Sequence, residues 1–138
     1  MAGRHRVFVY GTLKRGFPNH GFMAGQSFIG EARTVEAYPM IVQGLHFSPV
    51  VMPEPGVGHR VGGEVWEVDE ACLVRLDELE SIGMPTGYTR ETVRVELADG
   101  STIEADIYFK ARERVVYTHT GYLTDYRDRR YVAAEDRE

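Results

Sequence analysis

The chain reads as an α+β domain: a small mixed β-barrel or curled sheet with one main helix and short accessory helices. Three observations predict this. Several short segments alternate apolar and polar residues or are rich in Val, Ile, Thr and aromatics. One stretch alone, Glu70 to Ser81, has convincing helical periodicity. Ala98-Asp99-Gly100 is a hairpin signal between two β-rich arms.

The elements follow in order. Val7 to Tyr10 is a short buried strand that stops at Gly11-Thr12, and Asn19 to Gly25 has room for one helical turn. Ser27 to Tyr38 and Met40 to Val42 are strands separated at Pro39, and Phe47 to Val51 is a short extended piece. Met52 to Gly58, with two prolines and two glycines, is a turn-rich loop and the segment expected to be most flexible. Val61 to Val68 alternates well, and Gly62 and Gly63 leave space for another backbone to approach closely. Asp69 is an N-cap for the Glu70–Ser81 helix. Tyr88 to Leu97 and Thr102 to Lys110 are the hairpin arms. From about Tyr117 the chain is a polar, tyrosine-rich tail with one short helix near Leu123 to Arg127.

Composition bounds the function. A chain of 138 residues with 43% hydrophobic and 27% charged residues is one domain, residues 1–138, long enough to bury a core. The formal charge of −5, without a basic stripe, argues against nucleic-acid binding. Arg127, Arg129 and Arg130 form a basic cluster that Asp125, Asp128, Glu135 and Asp136 surround, which reads as a solvated, self-neutralising tail. No signal peptide and no membrane-spanning run is visible. The single Cys72 makes no internal disulfide, which fits a cytoplasmic setting, and it reads as a small apolar filler on the helix. The five histidines lack metal-ligand spacing, so no metal site is expected, and His20 reads as structural.

The most informative segment is Val7-Phe8-Val9-Tyr10-Gly11-Thr12-Leu13-Lys14-Arg15-Gly16. A strand that runs into a glycine-containing loop presents N–H groups with no ladder partner, suited to a carboxylate or a developing oxyanion. An ordinary strand–turn is the other reading. Gly11 and Gly16 have the glycine spacing of a phosphate-binding loop, but Phe17-Pro18 stand where Lys and Ser/Thr belong, and the Rossmann glycine spacing is missing as well.

The second clue is a carboxylate out of place. At roughly 100° per residue, Cys72, Leu73, Leu76 and Leu79 share the core face of the helix, and Glu80 falls within about 50° of its centre. Glu78 points the opposite way and Asp77 lies on the border. A carboxylate on an apolar face costs free energy unless it is bonded, paired or kept neutral, and the last option makes a general acid/base. The alternative is a glutamate at the helix end that swings into solvent.

Val7 to His20 resembles the N-terminal signature of the γ-glutamylcyclotransferase-like superfamily, and Lys14-Arg15-Gly16 with Pro18-Asn19-His20 is similar to its γ-glutamylaminecyclotransferase (AIG2-like) branch. The likeness continues through Tyr38-Pro39, Gly63-Glu64-Val65, Leu76-Asp77-Glu78-Leu79-Glu80-Ser81 and Tyr88-x-Arg90, and fades after about residue 110. It implies a small β-barrel with helices around it, and an enzyme that cyclises a γ-glutamyl-amine or γ-glutamyl amino acid to 5-oxoproline and frees the amine. It also implies Glu80 as the general acid/base, with no metal and no cofactor. The substrate-binding candidates are Tyr10, Gly11, Thr12, Leu13 and Tyr88. Tyr10 is a wall or donor at the strand end, or else a half-buried strand tyrosine. Arg90 braces acidic neighbours, and Tyr108 and Tyr131 are weaker site candidates that read first as structural. Lys14 and Arg15 stand outside the chemistry but can steer an anionic substrate. The expected partner is a small γ-glutamyl molecule, with no nucleic acid and no membrane, on a monomer or weak homodimer. A departure is the loop from Ser81 to Tyr88: with Gly83, Pro85 and Gly87 it is longer than the resemblance implies, which leaves the leaving amine open. The competing readings are a non-catalytic small-molecule-binding or interaction domain on the same fold, and an acyl transferase or hydrolase. The latter needs a Gly-x-Ser-x-Gly elbow that is missing.

Overall fold

In the computed structural model, which describes residues 4–85 and 87–137, the strands close on themselves. The elements are β1 (Arg4–Val9), β2 (Ser27–Tyr38), β3 (Met40–Gln43), β4 (Ser48–Val51), β5 (His59–Asp69), α1 (Glu70–Leu79), β6 (Thr89–Leu97) and β7 (Thr102–Phe109). The barrel order is β1-β5-β2-β6-β7. Its ladders are antiparallel except for the closure, where β1 and β7 run parallel with Val7 opposite Asp106. The barrel is therefore mixed, as the strand pattern predicts. β3 and β4 pair separately as a two-stranded sheet.

Closing so few strands demands strong curvature. β2 supplies it through two register shifts against β5, at Phe28/Gly30 and Arg33/Ala37. Pro39 cannot donate to a ladder and separates β2 from β3. Two apolar clusters result. Phe8, Val42, Val61, Val65, Val95 and Ile107 fill the barrel interior. Val7, Val9, Leu13, Trp66 and Leu76 join the outer side of β1 to α1. Cys72 is fully buried in the second cluster, as a filler residue is expected to be.

Three expectations are corrected. The helix ends at Leu79, not Ser81. The predicted helix near Leu123–Arg127 is absent, and the short helical turns are 3₁₀ turns at His20–Met23, Arg112–Arg114 and Ala134–Asp136. The tail from Tyr117 is not a solvated appendage. His119 N–H donates to Val42 O, Leu123 N–H to Met40 O and Val132 N–H to His46 O. Tyr126 is fully buried in the barrel cluster. Local polarity misled here because the aromatic residues of this segment are inserted one at a time, with no period. The strap lies where β5 has no Cβ atoms: Gly62 N–H donates to Thr124 O at 2.8 Å, and a side chain there would overlap Asp125. The loop at Met52–Gly58 is likewise tied back, with Met52 N–H on Pro39 O, Gly56 N–H on Ala37 O, and Glu54 paired with Arg112. Among the described residues, no helix is long and apolar enough to cross a membrane.

Candidate active site

β1 ends at Val9 and the chain turns at Gly11 under β4. A Cβ at Gly11 would overlap the Pro49 ring, so only glycine lets the two segments pass. The carbonyls of the loop turn toward the protein: Lys14 N–H donates to Gly11 O at 3.1 Å and Asn19 N–H to Thr12 O at 2.8 Å. The N–H groups of Gly11, Thr12 and Leu13 meet no acceptor among the described residues. Asn19, itself buried, donates both Nδ2 hydrogens, to Thr12 Oγ1 at 2.9 Å and to Tyr131 Oη at 3.1 Å.

Opposite stands the end of α1. Asp69 caps its start, accepting from Cys72 N–H at 2.8 Å, as the sequence predicts. At its other end Ser81 N–H donates to Glu78 O and Ile82 N–H to Asp77 O. This is the Schellman pattern, in which the residue after the cap is left-handed and usually glycine. Here it is Ser81, at φ 54°. A serine in that region costs of order 1 kcal/mol. The sharp stop makes Glu80 the C-cap residue, and Tyr88 N–H on Glu80 O at 2.9 Å folds the following loop back over it. Thr86, within that loop, lies outside the described residues.

Between these two elements lies a cleft of about 190 Å³, bordered by all six sequence-predicted residues: Tyr10, Gly11, Thr12, Leu13, Glu80 and Tyr88. It is sized for a small ligand. Among the described residues, no donor and no cation within ion-pairing distance reaches the Glu80 carboxylate. Burial raises its pKa to about 7; Lys110 pulls it down, and Asp77 pushes it further up. The group nevertheless borders the cleft, so ligands and protons have access to it. Lys110, at the end of β7, is the facing cation. Burial lowers its pKa while Glu80 opposes the shift, and its Nζ sits 4.7 Å from the centre of the Tyr88 ring.

The phenols are walls more than donors. Tyr10 Oη donates to Tyr108 O at 2.7 Å and accepts from Val51 N–H at 3.3 Å; Tyr88 Oη donates to Pro49 O at 2.8 Å. Burial raises both pKa values well above the ordinary tyrosine range. Arg90 braces, as expected, gripping Asp77 through Nε and Nη2 at 3.0 and 3.1 Å and Asp106 through Nη1 at 3.1 Å. Tyr108 Oη adds a bond to Asp77 at 2.8 Å. His20 is structural, with Nδ1 3.0 Å from Leu13 O. Lys14 and Arg15 are held by other contacts: Lys14 Nζ donates to Tyr126 O at 2.9 Å, and Arg15 pairs with Glu64 and Glu31.

Asn19, Lys110 and Arg137 also line the cleft, where sequence reasoning did not place them, and so do Tyr108 and Tyr131, which it held only as weaker candidates. Asn19 stood inside the quoted Pro18-Asn19-His20 signature and Lys110 at the end of a recognised strand, so each carried a signal. Tyr131 and Arg137 reach the cleft only through the strap, which has no periodicity to read.

Comparison with known proteins agrees with this geometry. The family model described as "Gamma-glutamyl cyclotransferase, AIG2-like" matches residues 7–129. The γ-glutamylaminecyclotransferase of Bos taurus is 44% identical over 126 residues, covering 87% of this chain and 74% of the relative; that of Rattus norvegicus is 40% identical over 117, covering 76% and 77%. A crystal structure of an AIG2-like protein from Mus musculus superposes with a TM-score of 0.84 at 34% identity, over 97% of this chain and 99% of that one.

Proposed function

The chain belongs to the γ-glutamyl cyclotransferase, AIG2-like family, and from that premise we propose that it cyclises γ-glutamyl-amines or γ-glutamyl amino acids to 5-oxoproline, with Glu80 as the proton carrier. One observation carries the reading: a carboxylate raised to about 7 borders the same cleft as a loop of backbone N–H groups, and neither meets a partner among the described residues.

The chemistry needs few parts. The substrate's own α-amine attacks its γ-carbonyl carbon, so nucleophile and electrophile are already joined and the enzyme has only to fold the chain. The α-ammonium is no nucleophile until it loses a proton. Ionised Glu80 accepts that proton, the bond from nitrogen to the γ-carbonyl carbon (Cδ) forms, and the carbonyl electrons move onto oxygen. When the oxyanion collapses, the bond to the departing nitrogen breaks and protonated Glu80 delivers its proton to it; the ring nitrogen's surplus proton then passes through the same carboxylate to the amine, which leaves as its ammonium. A group with a pKa near 7 is suited to both halves of this transfer. Water is not consumed and no cofactor enters. The N–H groups of Gly11, Thr12 and Leu13 hold the α-carboxylate or the oxyanion, while Tyr10 and Tyr88 shape the walls.

The cleft is positive beside Glu80. Lys110 lies there, and the Arg114 guanidinium, which donates to Gly87 O at 3.3 Å, adds to the positive potential at Lys110. A leaving amine that carries a carboxylate is favoured over one that carries a second cation. The buried Cys72 thiol suits the cytoplasm. The test is a panel of γ-glutamyl-amines and γ-glutamyl dipeptides with 5-oxoproline as readout. Release from at least one class supports the reading, and no 5-oxoproline from any of them overturns it.

A further inference from the structure

The loop that offers its N–H groups to the cleft is gripped from outside by the C-terminal strap at three successive points. Lys14 Nζ donates to Tyr126 O at 2.9 Å. Arg129 Nη1 donates to Gly16 O at 2.7 Å, with its guanidinium 4.1 Å from the centre of the Phe17 ring. Tyr131 Oη accepts from Asn19 Nδ2 at 3.1 Å. The first two contacts hold the outer turn of the loop. The third reaches the cleft itself, because Asn19, Tyr131 and Thr12 all line it.

Asn19 has two Nδ2 hydrogens, one aimed at Tyr131 and one at Thr12 Oγ1. Its backbone N–H also holds Thr12 O, so this residue fixes Thr12 by main chain and side chain together. With Oγ1 accepting from Asn19, the Thr12 hydroxyl keeps its own proton for a ligand. Thr12 then offers two donors side by side, N–H and Oγ–H. Loss of the Tyr131 hydroxyl leaves one Asn19 hydrogen without an acceptor and frees the amide to rotate. After rotation by half a turn Oδ1 faces Thr12, the hydroxyl proton is drawn back toward Asn19, and a donor is lost from the cleft.

We propose that Tyr131 is a positioning residue: acting through Asn19, it keeps Thr12 oriented as a double donor to the substrate's α-carboxylate, so that the C-terminal strap sets affinity at the glutamyl end of the cleft. The inference rests on the reading of the site given above. It assigns no proton transfer to Tyr131, so binding should respond and the chemical step should not.

The test compares wild type, Tyr131→Phe, Asn19→Ala and the double variant. The readouts are KM and kcat on a γ-glutamyl substrate, the calorimetric Kd of 5-oxoproline (which retains the α-carboxylate) and thermal unfolding. Tyr131→Phe removes one oxygen and keeps the ring. It is expected to raise KM and the 5-oxoproline Kd together, by about 2- to 10-fold as for one neutral hydrogen bond, with kcat within about twofold. In the Asn19→Ala background the same change should add nothing, because the path to Thr12 is already cut. Unaltered KM and Kd in Tyr131→Phe would overturn the proposal, as would full additivity in the double variant. A lower melting temperature with Kd unchanged would make Tyr131 a packing residue and overturn it too. A wild-type chain that neither turns over a γ-glutamyl substrate nor binds 5-oxoproline would instead overturn the reading of the site, and this inference with it.

Discussion

Glu64 and Glu80 are both carboxylates among apolar neighbours, and they are treated in opposite ways. Glu64, on β5, is buried and fully engaged: it accepts from Arg15 N–H and Arg15 Nε, each at 3.1 Å, and from Trp66 Nε1 at 3.2 Å. Those bonds offset the desolvation of the charge and tie β5 to the loop after β1. Among the described residues Glu80 has no such donors. It is withdrawn among apolar and phenolic groups, with Asp77 behind it and Lys110 to favour its charge. A carboxylate that serves stability is surrounded by donors. One left without them, at the end of a helix whose next residue is strained, is held for another purpose.

The largest expected contrast is in turnover. Glu80→Gln keeps the side-chain size but cannot accept the ammonium proton, so 5-oxoproline release should fall by about 10² to 10⁴-fold. Glu64→Gln should leave turnover within a few-fold and lower stability by about 1–2 kcal/mol, read by urea unfolding. If the two variants exchange these signatures, the assignment of roles is reversed.

A second contrast is in the pH dependence of folding. The folded-state pKa of Glu80, about 7, lies above its ordinary value of 4.5. Between those values the folded chain holds a proton that the unfolded chain has released. Stability is therefore fully present below the unfolded value and declines as pH rises through the window. The full shift corresponds to roughly 3 kcal/mol, and water in the cleft reduces this to about 1–2 kcal/mol. Glu80→Gln should remove this slope and be more stable than wild type at pH 8, measured as the difference in unfolding midpoint between pH 5 and pH 8. An unchanged slope would mean that Glu80 does not carry the shift.

Neighbouring charges sharpen the comparison. Lys110→Met removes the cation that favours the ionised carboxylate, so the acidic limb of the kcat/KM profile should move to higher pH. Asp77→Asn should move it lower. Lys110→Met should also erode any preference for leaving amines that carry a carboxylate, read on paired substrates. The smallest effects should come from Glu78→Gln, which lies exposed on the far side of α1, and from a strong chelator; both should leave turnover nearly unchanged. Activity lost to a chelator and restored by a divalent metal would show that the mechanism is incomplete.

Much of the barrel was legible because its signals are local. Alternation marks β2 and β5, Pro39 marks a break, Ala98-Asp99-Gly100 marks a hairpin, and Asp69 caps a helix through a bond three residues away. Of the cleft, the part written in contiguous stretches was legible as well: the loop after β1, and the helix face that places Glu80 among leucines. The helix end was read two residues late, because its stop depends on Ser81 adopting a conformation that its residue type disfavours. The strap was misread outright, since a polar composition with isolated tyrosines looks the same whether it is solvated or laid across a barrel.

Short-range rules of periodicity, capping and turn chemistry, acting within a few residues, were enough to set the class of fold and the two elements that bear the cleft, while the family was legible through the resemblance of its motifs. What they could not set is any relation between residues far apart in the chain. That Lys110 faces Glu80 follows from the closure of β7 onto β1, and that Tyr131 reaches Asn19 follows from the path of the strap over Gly62 of β5. The raised pKa of Glu80 belongs to the same class. It comes from the burial and charge that four separate segments bring together in space, and no window of the chain contains them.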